Sequence, residues 1–571
     1  MTVSRLPYIP SSYAGRSTAF ESQRLINLYA ELAAGADPKG VGMLVGVPGK
    51  RLFSSGLTAS VRGAIAFNGL LYVVESNKFV SVDTSGAATV LGTLNTSAGR
   101  VSMAENGVLS AGIGGNQICV VDDLDGWIYN ILTSAFTQIS SPGFPVTPSH
   151  VEYIDSYFIV TNGTMGAYAS DSYNGLSWNV LAYTPVQAAS DNVQNLINLH
   201  QQLFFIKEYT SEVYYNNGTA TSVGFPFSRL QGAVIDYGTP APWSVARGNN
   251  SIFFLANERD GDNACFVGVV ELSGYTPVPI TPPSIVYRMS QSTDHSQCFG
   301  YCYSDEGHTF YVLTNPVDNW TFVYDTTTQM WHERATCGLD NSNINRDRAN
   351  CYVRFNDMHL VGDSHTGNVY EVSSKFNTDA GLPIISTETT QHLIDNNSLD
   401  DVFIDELRID IESGVGLDDV SSPAVAFATL TAPGGGVSIV TMNYNGADYT
   451  TAPAVILRAI NGNGSGATAT ATVYEGSVQS VTVTTAGTGY TSPPEVIFAM
   501  PEVTPFAGLS RSKDGGKTWG AESIRSMGNI GEYRKRLLWR SVGRSKDVVF
   551  KLRISSPVKR IIMGWYVEAS Q

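Results

Sequence analysis

Charge is scarce in this chain. Only 15% of its 571 residues are Asp, Glu, Lys or Arg, too few for solvent-facing helices laced with ion pairs. No run of 18 apolar residues occurs, so no transmembrane helix and no membrane insertion is expected. The opening Met-Thr-Val-Ser-Arg-Leu-Pro-Tyr-Ile-Pro has no apolar core and no cleavage site, so no signal peptide is expected. Cysteine is confined to positions 119, 265, 298, 302, 337 and 351, without a Cys-x-x-Cys or a zinc spacing. That pattern reads as reduced, buried thiols made in a cytosol. The eight His form no His-Glu-x-x-His pair, and neither a nucleophile elbow nor a dinucleotide fingerprint is present. Gly49-Lys50 approaches a phosphate loop, but Leu44 stands where its first Gly belongs. No catalytic residue, metal ligand or cofactor-binding residue is therefore assigned, and no cofactor is expected.

What the chain does hold is turn-rich β sequence: 55 Gly, 28 Tyr and 11% aromatic residues. The clearest stretch is His308 to Arg334. Runs of aromatic and β-branched residues are punctuated there by Asn315, Pro316 and Asp318, then by Asp325 and three Thr. Three short antiparallel strands are predicted. Such a meander cannot bury both its faces alone and needs stacked neighbours.

Similar hairpins recur at Phe67-Asn68-Gly69-Leu70, Met103 to Leu109, Tyr153 to Phe158, Leu199 to Phe204, Asn249 to Phe253, Asp305 to Phe310 and Phe355 to Leu360. Matched positions Phe158, Phe204, Phe253, Phe310 and Leu360 are 46, 49, 57 and 50 residues apart. A period near 50 with three or four strands per unit predicts a β-propeller of six or seven blades. A sandwich of the same strands is the alternative, and it should lack so regular a period.

The fold class is thus all-β, with four parts. Residues 1–56 read as an N-terminal arm, in which Ser22 to Ala34 fits strand or helix. Residues 57–375 form the propeller. Residues 376–423 and 507–571 form one discontinuous β-sandwich-like domain, with alternation in Asp405 to Glu412. Residues 424–506 form an inserted Gly/Thr-rich module, where Gly446 to Pro453 recurs as Gly487 to Pro494 at an offset of 41. Charge is uneven. From Phe506 to Gln571 there are 14 Lys/Arg against 5 Asp/Glu, a surplus of +9, so the remainder carries −25 of the net −16. An acidic body does not suit tight nucleic-acid binding and does suit a surface that DNA slides past.

Individual motifs read as structural. Ser512 to Trp519 fits the Asp-box, a turn in which Asp binds backbone, Gly takes positive φ and Trp packs beneath the hairpin; Asp171 to Trp178 is a degenerate second copy. Arg346 and Arg348 fall in the loop Asn341–Asn350 and suit a solvated loop or an interface. His332 and His359 lie within strand patterns. The basic tail reads as one wet face of a sheet or a docking surface for an acidic partner. A propeller glycosidase would need carboxylates paired across a cleft, which no spacing picks out.

One more signal comes from the order of several short strings. Ser211-Glu212-Val213-Tyr214-Tyr215-Asn216-Asn217-Gly218 precedes Pro226-Phe227-Ser228-Arg229 and Gly232-Ala233-Val234. Gly307 to Leu313, Tyr324-Asp325 with Trp331 to Arg334, and Val361-Gly362-Asp363 with Thr366 to Tyr370 follow. Gly528 to Tyr533 and Trp539 to Arg544 close the set. Over most of residues 20–420 and 507–571 this resembles the packaged-DNA stabilisation, or tail nozzle, proteins of short-tailed double-stranded-DNA phages. The module at 424–506 departs from that pattern and resembles Gly-Tyr-Thr-x-Pro-Pro repeats of other phage tail proteins. The resemblance implies a virion tail protein without enzyme activity, synthesised in the host cytoplasm. It implies a homo-oligomeric ring, six subunits in the family, below a portal adaptor protein. Genomic DNA would pass through the lumen without sequence-specific contact, and a tail spike, fibre or plug protein would attach to the ring. The propellers are expected outward or distal and the inserted module peripheral. A glycosidase or depolymerase, and a glycan-binding tail module, are the alternatives.

Overall fold

In the computed structural model the chain is almost wholly β. It describes residues 2–570 apart from 11–12, 38–39, 56, 111, 113, 261–262, 338–343, 395–400, 415–423, 447–448, 450, 460–463, 475–476, 500–504 and 529–530. The meander at 308–334 forms three strands, His308–Asn315, Trp320–Asp325 and Met330–Glu333. Its turns follow from side-chain chemistry: Asn315 Oδ1 accepts the Val317 and Asp318 amides, and Asp325 Oδ1 accepts that of Thr327.

Seven such sheets lie in chain order. Blade 1 spans Val61–Phe67 to Ala88–Thr93, blade 2 Ser102–Glu105 to Ala135–Gln138, and blade 3 His150–Ile154 to Asn174–Pro185. Blade 4 spans Val193–Leu199 to Phe227–Ile235, blade 5 is built on Ser251–Asp260 and Asn263–Ser273, and blade 6 begins at Phe299–Asp305. Blade 7 contains Ala349–Phe355, Met358–Asp363 and Val369–Ser373. Six of the seven recurrent hairpins are two-residue turns with positive φ at both central positions, for example Asn249 (49°) and Asn250 (57°), or Asn356 (47°) and Asp357 (60°). Turns of that hand match the twist of the flanking strands, which is why Asn, Asp and Gly recur there.

The second hairpin departs from the expectation. The strand after Ser102–Glu105 begins at Gln117, not at Val108-Leu109. Asn106 and Asn116 stabilise the longer connection: Asn106 exchanges hydrogen bonds with Gln117, and Asn116 brackets Leu109 through its N–H and C=O.

Cores form between blades rather than within them. Phe79, Val74 and Tyr72 meet Ile118 and Tyr129 between blades 1 and 2. Phe204 and Ile206 meet Phe254 and Val270 between blades 4 and 5, and Phe253 meets Tyr311 and Phe322 between blades 5 and 6. Between blades 7 and 1, Phe355 and Leu360 meet Val61, Leu71 and Val73, so the ring is closed. Each fully buried Phe contributes roughly 2–3 kcal/mol by transfer from water, and period-two alternation supplies one such residue to each side of a blade.

Residues 1–56 are not a separate arm. Gly49–Ser54 pairs antiparallel with Val369–Ser373 as the outer strand of blade 7. Leu28–Asp37 and Gly40–Gly46 form a hairpin in a second sheet with Ile561–Ser570, Val402–Ile411 and Leu537–Ser545. Ser22 to Ala34 is extended, broken at Asn27 (φ 55°). Arg24–Ile26 bridges Met330–Glu333 of blade 6 to Ser386–Thr389, Asp547–Ile554, Phe506–Ser512 and Ser523–Ser526, so the sheet of blade 6 runs on into the sandwich. The two sandwich sheets enclose Trp565, Phe550, Leu407, Leu44 and Leu25. The apolar alternation of the first 46 residues is absorbed by that core, which is the physical reason they do not hang free.

Six strands within 425–498 make the inserted module, in the order Val437–Tyr444, Val425–Leu430, Glu495–Phe498, Ala454–Arg458, Ser465–Tyr474, Ser477–Thr488. That order is a palindrome under the 41-residue offset: each repeat donates its third strand to the other repeat's hairpin. Ile456 pairs with Ile497, its own repeat mate, at the pseudo-twofold centre. Tyr449 accepts the Ala424 amide at 2.9 Å and Tyr490 accepts the Ala467 amide at 3.4 Å. Ala447, Asp448 and Thr450 of the first copy lie outside the described residues.

Candidate functional site

The propeller axis is where a ring of blades would offer a cleft. Here side chains reach from blade to blade. Arg100, between blades 1 and 2, sits 3.6 Å from the centre of the Phe299 ring of blade 6 and donates to Asn350 O (2.7 Å) and Oδ1 (2.9 Å) of blade 7. Asn350 donates in turn to Val61 O of blade 1. The rings of His150 and Trp243 lie 4.4 Å apart, joining blade 3 to the turn that enters blade 5. Arg247 donates to Asn198, and Asn198 donates to Glu152 Oε1. Burial pushes the Glu152 carboxyl up to about 7, against the pull of Arg247. Arg100 on Phe299 and His150 on Trp243 tie non-adjacent blades together, Asn350 and Asn198 link neighbouring ones, and Glu152 faces an amide and a guanidinium.

The polar chemistry concentrates where the N-terminal strands meet the propeller. Glu333, at the end of blade 6, is buried and accepts two hydrogen bonds from Arg24 (both 2.6 Å), two from Arg288 (2.7 and 3.4 Å) and one from Tyr13 (2.6 Å). Burial alone would raise its pKa, but Arg24 and Arg288 overcome that and hold it at about 2. A second joint holds Lys50 against Asp347 (2.8 Å) and Asp379 (3.4 Å), with Arg348 3.5 Å from Asp379. Gly49-Lys50 is therefore part of an ion-pair clip closing blade 7, and no phosphate cradle: Lys50 is buried between two carboxylates. Arg348 also lies over the Tyr370 ring and Arg346 over Phe299, so neither belongs to a freely solvated loop; residues 341–343 of that loop lie outside the described residues. His332 is buried among Tyr29 and Phe310, and His359 bonds Tyr352 Oη at 2.9 Å. Burial lowers the pKa of both.

The Asp-box forms its turn. Asp514 accepts the Lys517 and Thr518 amides, Gly515 and Gly516 take φ of 73° and 86°, and Trp519 lies 4.2 Å beneath Lys551 Nζ. The basic tail is not a free basic face. Arg544, Arg540, Arg536 and Lys559 pair with Asp401, Glu406, Asp410 and Glu412 of the neighbouring strand and its end. Residues 376–423 hold eleven acids and one base, so the surplus of the tail is matched inside its own domain. Nothing in the tail alone revealed that; the acidic alternation of Asp405 to Glu412 was the available signal.

Cys119, Cys265, Cys298, Cys302 and Cys351 are free, and Cys265 is exposed rather than buried. Among the described residues no cluster of three or more His, Cys, Asp or Glu could hold a metal, and no helix is long and apolar enough to cross a membrane.

Comparison with known proteins adds the family. A family model for the β-propeller of bacteriophage P22 Gp10, a phage stabilisation protein, matches residues 5–377. A second, for the β-sandwich of P22 Gp10, matches residues 488–570. No curated protein matches the chain. Among solved structures, the N-terminal domain of Nup159 is 10% identical with a TM-score of 0.34, covering 63% of this chain and 99% of that one. The WD40 β-propeller domain of Doa1 is 10% identical at 0.34, covering 57% and 96%, and the Neurospora crassa Pan2 WD40 domain is 11% identical at 0.33, covering 56% and 89%. With its propeller and its sandwich both matched, the chain belongs to the bacteriophage P22 Gp10 family, structural proteins that stabilise packaged DNA.

Proposed function

We propose that this chain is a tail nozzle subunit. Copies close head-to-tail into a ring of about six beneath a portal adaptor, since a heterologous interface closes by rotation. The ring continues the DNA channel, retains the genome and anchors a spike, fibre or plug. The observation that carries this reading is the family match over residues 5–377 and 488–570. It is supported by side-chain links between blades that are not neighbours, which favours a lumen at the centre of the ring of copies rather than through any one propeller. The net charge of −16 suits a wall that DNA passes without sticking. The reading assigns no catalytic activity and places synthesis in the host cytoplasm.

Particles assembled without this chain test it. Heads should fill and then release their DNA, and adding the purified chain should restore retention. Full retention in its absence, or release of reducing sugar from host-surface polysaccharide by the purified chain, would count against it.

A further inference from the structure

A cleft of about 470 Å³ opens where the N-terminal segment, the helix Pro283–Ser290 and the Asp-box turn meet the outer face of the sandwich. Its floor is three adjacent strands. Arg24, Thr389 and Lys551 form one cross-strand row, and Ile26, Thr387 and Arg553 the next. The alternate residues Leu25, Glu388 and Leu552 point the other way, into the sandwich core. Arg288 and Trp519 stand in the walls.

The cleft holds more cations than its carboxylates satisfy. Arg24 and Arg288 share one carboxylate, Glu333, and Arg553 has Glu522 at 3.1 Å. Lys551 has no carboxylate within ion-pair distance among the described residues and rests on the Trp519 ring. The hydroxyls of Thr387 and Thr389 make no hydrogen bond among the described residues, and both residues line the cleft. Three polar groups and an excess of two positive charges thus face a space of ligand size.

We propose that this cleft binds an acidic polypeptide segment in extended conformation, with carboxylates at alternate positions. Lys551 and Arg553 are two residues apart on one strand, about 6.6 Å, and an extended chain spaces its side chains i and i+2 by the same distance. Ile26 supplies an apolar floor beside them. Other ligands fit less well. Sugars and single-stranded nucleic acid need an open aromatic face to stack on, and Lys551 covers a face of Trp519. Duplex DNA is too wide for the space. If the chain is a nozzle subunit, the segment belongs to another virion protein; the site itself does not depend on that reading.

The test is fluorescence anisotropy of a labelled hexapeptide with aspartate at alternate positions, titrated with the full chain at low salt. Hexathymidylate, hexagalacturonate and the asparagine version of the peptide serve as competitors. Saturable binding is expected, lost with the asparagine peptide and weakened by salt. Lys551→Met should weaken it at least tenfold, Thr389→Val several-fold, and Lys551→Arg should restore it, all with unchanged melting temperature. Undiminished binding by both weakening variants, no binding at all, or tighter binding of any of the three competitors would overturn the proposal. Light scattering on the same samples reads ring formation separately, so a failed site and a failed nozzle reading are told apart.

Discussion

Two buried carboxylates carry opposite electrostatics. Glu333 is held ionised by two guanidiniums and a phenol. Glu333→Gln strips both arginines of their partner, and breaking such a pair costs about 3 kcal/mol or more. Chemical denaturation should show a loss of that size, and a change under about 0.5 kcal/mol would mean the joint is not held by charge. Glu388 is the reverse case. Burial pushes it up to about 8, only partly offset by the Trp565 indole N–H at 3.0 Å. In the folded chain it stays protonated where the unfolded chain has released its proton. Its contribution is therefore complete below the ordinary Glu range and falls as pH rises toward 8, by up to about 1.4 kcal/mol per pH unit. Glu388→Gln should remove that slope and be the more stable form at pH 8, as melting temperature against pH would show. Neither role was legible beforehand. A lone Glu in a Thr-rich strand carries no mark of the indole that will face it, whereas the turn Asn and Asp residues did announce themselves, because their chemistry is local.

At the level of elements, the hairpins were readable and the partners of the first 56 residues were not. Type I′ turns bind their own neighbours in sequence. Gly49–Ser54 pairs with a strand more than 300 residues away, and no local pattern encodes that. The inserted module lies between these cases. Its repeat was visible, but the exchange of third strands was not. Its strands pair only with one another among the described residues, around Tyr449, Val478, Tyr490 and Phe498. Replacing 424–505 with a short Gly/Ser linker should leave the main calorimetric transition within a few degrees of the full chain. A collapse of that transition would mean the module is integral to the sandwich. Removing 1–54 should have the opposite result and abolish the cooperative transition, since it opens blade 7 and strips one sandwich sheet.

For the whole molecule, seven blades and a sandwich grown out of blade 6 make the two parts that the family models match. The period near 50 made the propeller legible because each blade repeats one physical problem, two apolar faces that need neighbours. Charge was legible only as a total. The +9 tail reads in sequence as a wet basic face or a docking surface, whereas in the fold Arg536, Arg540 and Arg544 pair with the strand beside them and its end, and Lys551 in the cleft has no carboxylate within ion-pair distance among the described residues. The central claim is that this chain is a wall component whose channel lies between copies. Electron microscopy of the purified chain, alone and bound to a portal–adaptor complex, tests it most directly. The account predicts a closed ring of about six subunits, an open acidic lumen on the ring axis, and propellers whose own axes are sealed. A population of monomers that never assembles on the adaptor, or density for DNA threaded through a single propeller, would contradict it.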